Sequence, residues 1–145
     1  MLRPRCHDFD VEKLHRYLKN SVRHGARAAR LVEHVPEIVE LLYPAAQWPH
    51  LSQHERALSV EADIRRAVDE DIGGAPGEAL ATILCLRPGT VGRTLEDRRR
   101  VAAAYLGMEG GTFRRDRHEG ALLLDVAVEI LRHTTANQPE ASTTP

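Results

Sequence analysis

Cysteine is scarce in this sequence: Cys6 and Cys85 stand far apart, with no C-x-x-C pair. Two such thiols cannot build a disulfide scaffold, so both are expected to be reduced, and redox chemistry is not indicated. Long apolar runs are also missing. None approaches the roughly 20 residues that a membrane helix requires, and the start MLRPRCHDFD lacks the apolar core of a signal peptide. A cytoplasmic chain without a membrane partner is the expectation. There is no G-x-S-x-G elbow and no H-E-x-x-H, and RPGTVGR (87–93) lacks the G-K-[ST] ending of a phosphate loop. Neither cysteine has an activating context. An enzyme is therefore not expected, and no cofactor or bound metal is implied. Alternating β-branched segments are absent too, which argues against a sheet.

What remains is the composition of a folded domain. The chain has 145 residues, 42% hydrophobic and 28% charged, enough for a real core. Two of its 20 basic residues are lysine, Lys13 and Lys19, which leaves 18 arginines, a bias typical of GC-rich bacterial coding. The net charge of −1 hides an uneven distribution. Residues 1–34 carry +4 (8 basic, 4 acidic), 35–86 carry −6 (3 and 9), 87–118 carry +4 (8 and 4) and 119–145 carry −3 (1 and 4). A dedicated DNA-binding domain has a larger basic excess, because phosphate neutralisation supplies most non-specific affinity.

Every segment with a clear period reads as helix, predicting an all-α compact bundle of six or seven short helices. The first is expected from Asp10, an N-cap, to Asn20-Ser21, with Val11, Leu14, Tyr17 and Leu18 inward. A second is expected over Val22–Val35, ended by Pro36, which opens a third that stops before Pro44. YPAAQWPHLS (43–52) is a connection in which Trp48 packs over a helix end. Ser52 and Glu55 form a capping box for a helix burying Leu58, Ile64, Ala67, Val68 and Ile72, which stops at Gly73-Gly74. A shorter helix follows over about residues 76–86. Thr94 with Asp97 opens the next, with Leu95, Val101, Ala102, Tyr105 and Leu106 inward. A further helix begins near Thr112, and Gly120 either breaks or kinks it before the C-terminal helix, whose apolar stripe is Leu123, Val126, Ala127, Ile130 and Leu131, packed on the hairpin at 94–117. Residues 1–86 thus read as an N-terminal helical segment, 87–133 as a helix-turn-helix-like segment packed on it, and 134–145 as a disordered tail.

The corner GMEGGTFRRDRHEG (107–120) carries the functional reading. Ala103 is small enough for close crossing, Gly107 permits the turn, and Ala102, Leu106, Met108 and Phe113 lock two helices together as in a helix-turn-helix. Asp116 departs from that pattern, since an apolar residue is expected near that position, so the second helix must rotate, be short or belong to a variant. Residues 87–131 resemble a short helical module of uncharacterised actinobacterial proteins, built from an arginine-rich helix, a Leu-Gly corner and a Thr-Phe-Arg-Arg helix start. Arg98, Arg99, Ala102, Ala103, Leu106, Gly107, Thr112, Phe113, Arg114 and Arg115 carry the resemblance; Gly110 and Gly111 stand where a better helix former is expected. The resemblance implies a helix-turn-helix-like fold and a regulatory or adaptor role as readily as DNA binding.

The expected nucleic-acid contacts are Arg98, Arg99, Thr112, Arg114, Arg115 and Arg117, since bidentate arginine suits phosphates and guanine edges. The leading expectation is a small non-enzymatic regulatory protein binding DNA through this surface. The alternative is an adaptor that uses the arginines and the acidic middle segment to join a protein partner or a second copy of itself. The other constellations are weaker. His50 with His54, and Cys6 and His7 with His15, complete no metal-binding spacing. Asp69, Glu70 and Asp71 are adjacent on a helix and point in different directions.

Overall fold

A computed structural model describes residues 4–137, with side chains from 10 to 134. Among these the chain forms eight α-helices and no strand. Helix α1 spans Pro4–Ser21. It begins at a proline, which tolerates the first turn because no N–H is needed there, so Asp10 lies inside the helix and is not its cap. Leu14 and Leu18 are fully buried, and Ser21 Oγ donates to the Leu18 carbonyl (2.7 Å) at the helix end.

The second helix is shorter than its sequence predicts. Helix α2 covers only Ala28–His34. Residues 22–27 turn away, with Gly25 at φ +95°, and the Ala26 N–H donates to the Leu84 carbonyl (2.8 Å). A side chain at Gly25 would bring its Cβ to 2.8 Å from that of Cys85, so both space and backbone require glycine. Helix α3 (Pro36–Leu42) follows with proline in its first turn, and Trp48 then packs edge-on against Tyr43 (5.0 Å between rings).

Helix α4 (Gln53–Arg66) opens with the full capping box: the Glu55 N–H donates to Ser52 Oγ (3.1 Å) and the Ser52 N–H to Glu55 Oε1 (2.8 Å). It runs on as a π-helical turn, Ala67–Ile72, and ends at Gly73. Leu58 is exposed (48%), contrary to its expected burial, because the inward stripe runs through Ala57, Val60 and Ile64. Helix α5 (Gly74–Ile83) is followed by the connector and by α6 (Leu95–Tyr105), whose Thr94 Oγ1 accepts from the Asp97 N–H (3.0 Å). Helix α7 is a single turn, Gly110–Phe113; a π-helical turn, Asp116–Gly120, leads into α8, Ala121–Asn137.

One apolar cluster runs through the chain, from Leu14 and Leu18 through Ile64, Leu80 and Ile83 to Phe113, Leu123 and Ile130. Helix α6 packs on α5 and α7, whereas α8 lies mainly on α1 and the π-helical turn 67–72. That corrects the expected packing of α8 on the hairpin: its stripe fits the long face of α1. Residues 134–137 belong to α8, not to a disordered tail, and 138–145 lie outside the described residues. No helix among the described residues is long and apolar enough to cross a membrane.

Candidate functional site

The corner between α6 and α8 is built on backbone approach. At Gly107 (φ +70°) the chain leaves α6, and Gly110 lies so close to α6 that an added Cβ would be 3.3 Å from Arg100 Cα. Glycine at the start of α7 thus answers a packing need that helix propensity alone does not reveal. Phe113 is fully buried and pins the turn. The cost is length. Four residues make a helix of about 6 Å, and beyond it Arg115 is extended (φ −65°, ψ 145°). No continuous second helix carries the arginines: of the alternatives that Asp116 leaves, the second helix is the short one, and it ends before Arg115.

The six expected contact residues divide into two groups. Arg98 is 3% exposed and points into the protein. Its guanidinium donates to the carbonyls of Val22 (2.9 Å), Arg23 (3.2 Å) and Ile83, closing the junction of the 22–27 turn, the end of α5 and α6. Burial pushes it below the ordinary arginine value, with the neighbouring Cys85 thiol acting in the opposite direction. Arg99 forms a bidentate pair with Glu119, Nε to Oε1 at 2.8 Å and Nη2 to Oε2 at 3.0 Å, and Glu119 is itself buried. Neither is an exposed contact, because each is consumed by a partner distant in sequence.

Thr112 is half-buried, and Arg114, Arg115 and Arg117 are exposed. The acids beside them are engaged elsewhere: Glu119 by Arg99, and Asp116 by Lys19 (3.6 Å). Among the described residues the three arginines have no acidic partner. Arg114 also borders an open groove of about 510 Å³ with Leu95, Glu96, Arg99, Arg100 and Gly110.

No protein family, curated protein or solved structure matches the chain. The chemistry of the site therefore rests on geometry.

The acidic segment is partly used internally as well. Asp69 pairs with Arg87 (2.9 Å), and Asp71 with His133 (3.1 Å). Asp71, Glu129 and His133 bring ligand-type atoms within 4.8 Å of one another, the group among the described residues that comes nearest to holding a metal. Glu129 and His133 are four apart on α8, and the π-helical turn delivers Asp71, which no local spacing indicates. The histidines singled out from sequence do not gather. His50 and His54 are exposed, His15 Nε2 lies 2.8 Å from the Gly120 carbonyl, and the side chains of Cys6 and His7 lie outside the described residues.

A second cationic surface has no motif to announce it in the sequence. Arg23, Arg27 and Arg30 line a cavity of about 240 Å³ together with Arg93 and Arg98. The available signal is the recurrence of arginine at i, i+4 and i+7 across residues 23–30.

Proposed function

We propose that the chain is a small regulatory adaptor, acting by binding and not by catalysis, whose arginine corner docks onto an acidic face of a partner protein. The observation that carries this reading is that Arg114, Arg115 and Arg117 are exposed within four residues and have no acidic partner among the described residues. Guanidinium forks match carboxylates bidentately and are weakly hydrated, so they suit such a contact. The Arg99–Glu119 pair anchors the corner from below. Asp69 and Asp71 are already paired within the chain, which favours a separate partner over a second copy as the source of carboxylates.

DNA binding is the second reading, favoured by the order α6, glycine corner, α7 and by the groove that Arg114 shares with α6. Against it stand the single-turn α7, too short to lie along a major groove, the burial of Arg98 and the engagement of Arg99 by Glu119. Fluorescence-anisotropy titrations of an Asp/Glu-rich peptide and a duplex DNA, each over a salt series, separate the two. The adaptor reading expects saturable, salt-sensitive peptide binding that is tighter than duplex binding. It fails if the peptide shows no binding at low salt. It gives way to the DNA reading if the duplex binds more tightly, with a log K against log salt slope near −3, about −0.9 per arginine.

A further inference from the structure

The cavity away from the arginine corner concentrates positive charge without an evident reason in the fold. Its lining includes Arg23, His24, Arg27, Arg30, Arg93 and Arg98, and no carboxylate. Several arginines outside the two cationic surfaces are answered by acids, as in Arg56–Glu40, Arg65–Glu61 and Arg87–Asp69. Of the cavity's arginines, Arg30 meets Glu33 (3.2 Å) and Arg93 meets Asp97 (3.4 Å), both acids lying outside the lining and shared, with His34 and Arg100 respectively. Arg23 and Arg27 have no acidic partner among the described residues, and both are exposed to the opening. We propose that this cavity is a binding site for a phosphate dianion, free or carried as a phosphate monoester.

The floor supports the assignment. Arg98 is buried, and its hydrogen bonds go to the carbonyls of Val22, Arg23 and Ile83, which satisfy its N–H groups without cancelling its charge. In a poorly solvated floor that charge adds to the field of the rim. The walls are fixed: Arg98 bonds both the 22–27 turn and the end of α5, Gly25 packs on Cys85, and Cys85 is held in the left-handed region (φ +60°). A preformed cluster of guanidiniums loses little freedom on binding.

Shape and charge narrow the ligand class. About 240 Å³ is below the usual size of pockets for drug-sized molecules and suits a single phosphoryl group. Guanidiniums arriving from the 22–27 turn, from α2 and from the connector before α6 surround a tetrahedral anion better than a planar carboxylate. A terminal phosphate can reach the floor, whereas a backbone phosphodiester is flanked on both sides by sugars.

His24 provides the reporter. It stacks on His34 at the rim (3.5 Å between rings) and is held below its ordinary value by desolvation, then by His34, Arg23 and Arg30, with Glu33 opposing. A dianion among these groups stabilises the imidazolium and raises the His24 value.

The test follows the His24 ring by NMR while the intact chain is titrated with inorganic phosphate or adenosine monophosphate, against sodium chloride at matched ionic strength. The expected result is saturable movement of the His24 resonances and an upward shift of its titration with either phosphate probe. Tighter binding of inorganic phosphate identifies the free anion as ligand; tighter binding of the monophosphate identifies the ester. The variant Arg23→Gln/Arg27→Gln should weaken binding by about a hundredfold, tenfold for each guanidinium removed from the anion. If that variant loses its helical circular dichroism, Arg93→Gln on the opposite wall carries the same test, with binding about tenfold weaker. The proposal is overturned if sodium chloride moves His24 as far as phosphate does, or if a folded variant binds phosphate as the wild type does.

Discussion

Replacing Arg98 by methionine tests how the fold holds its cationic junction. The substitution keeps an unbranched stem of similar reach and removes the donors to the carbonyls of Val22, Arg23 and Ile83. Those carbonyls sit where three chain segments meet around a side chain that is 3% exposed, so water cannot replace the donors without opening the junction. Charge-assisted bonds contribute about 1.5–3 kcal/mol each but do not add fully. Relief of the buried charge returns part of the loss. The net cost is about 3–5 kcal/mol, a large part of the 5–15 kcal/mol typical of a domain. Urea unfolding followed by circular dichroism reads this directly. With a slope of about 2 kcal/mol per molar urea, the midpoint falls by about 2 M. Arg98→Lys keeps the charge but not the planar fork, and should fall between the two. A midpoint change below about 0.5 M at unchanged slope refutes the reasoning and makes the Arg98 hydrogen bonds dispensable for stability.

Other substitutions probe the remaining interactions. Ser52→Ala removes half of the capping box and lowers stability by about 1 kcal/mol in urea unfolding at neutral pH. Glu55 is held below its ordinary 4.5 by the backbone and side-chain hydrogen bonds of Ser52, so its contribution is present above the unfolded value and is lost as pH falls through the folded one. Acid titration of the wild type should show that loss. Tyr43→Phe deletes the hydroxyl that donates to Asp63 Oδ2 (2.7 Å), at a cost of about 1–2 kcal/mol at neutral pH. Burial raises the Asp63 carboxyl, and the Tyr43 hydrogen bond opposes that shift. A raised acid favours the folded state below its unfolded value and loses that contribution as pH rises through the folded one. The Tyr43→Phe deficit should therefore shrink in acid, measured as the difference in urea midpoint at neutral and acid pH. Gly25→Ala places a Cβ 2.8 Å from that of Cys85 at φ +95°, and should cost about 2–4 kcal/mol in thermal unfolding.

Much of the fold was legible because its boundaries are made by local chemistry. Ser52 and Glu55, Pro36, Gly73 and Thr94 act within three or four residues, so spacing alone places those helix ends. Tertiary partners decided the rest. The 22–27 segment has helical composition, yet it docks on Leu84 and must turn at Gly25. Tyr105 fits the helical stripe but is 47% exposed, because α6 buries Arg98, Ala102 and Ala103 instead. The inward path of Arg98 had one signal, its place three residues after Leu95 and four before Ala102. That of Arg99 had none, since Glu119 lies 20 residues away across a corner. The π-helical turns left no compositional trace, and they position Asp71 and Glu119.

The central claim is that the exposed arginine corner is the binding surface. Its most direct test is the affinity of the acidic peptide for the wild type and for Arg114→Ala/Arg115→Ala/Arg117→Ala, compared by anisotropy at one low salt concentration. These side chains support nothing beneath them, so the variant should unfold within about 0.5 kcal/mol of the wild type. It should bind the peptide at least about tenfold more weakly. Equal affinity in a variant of unchanged stability contradicts the account.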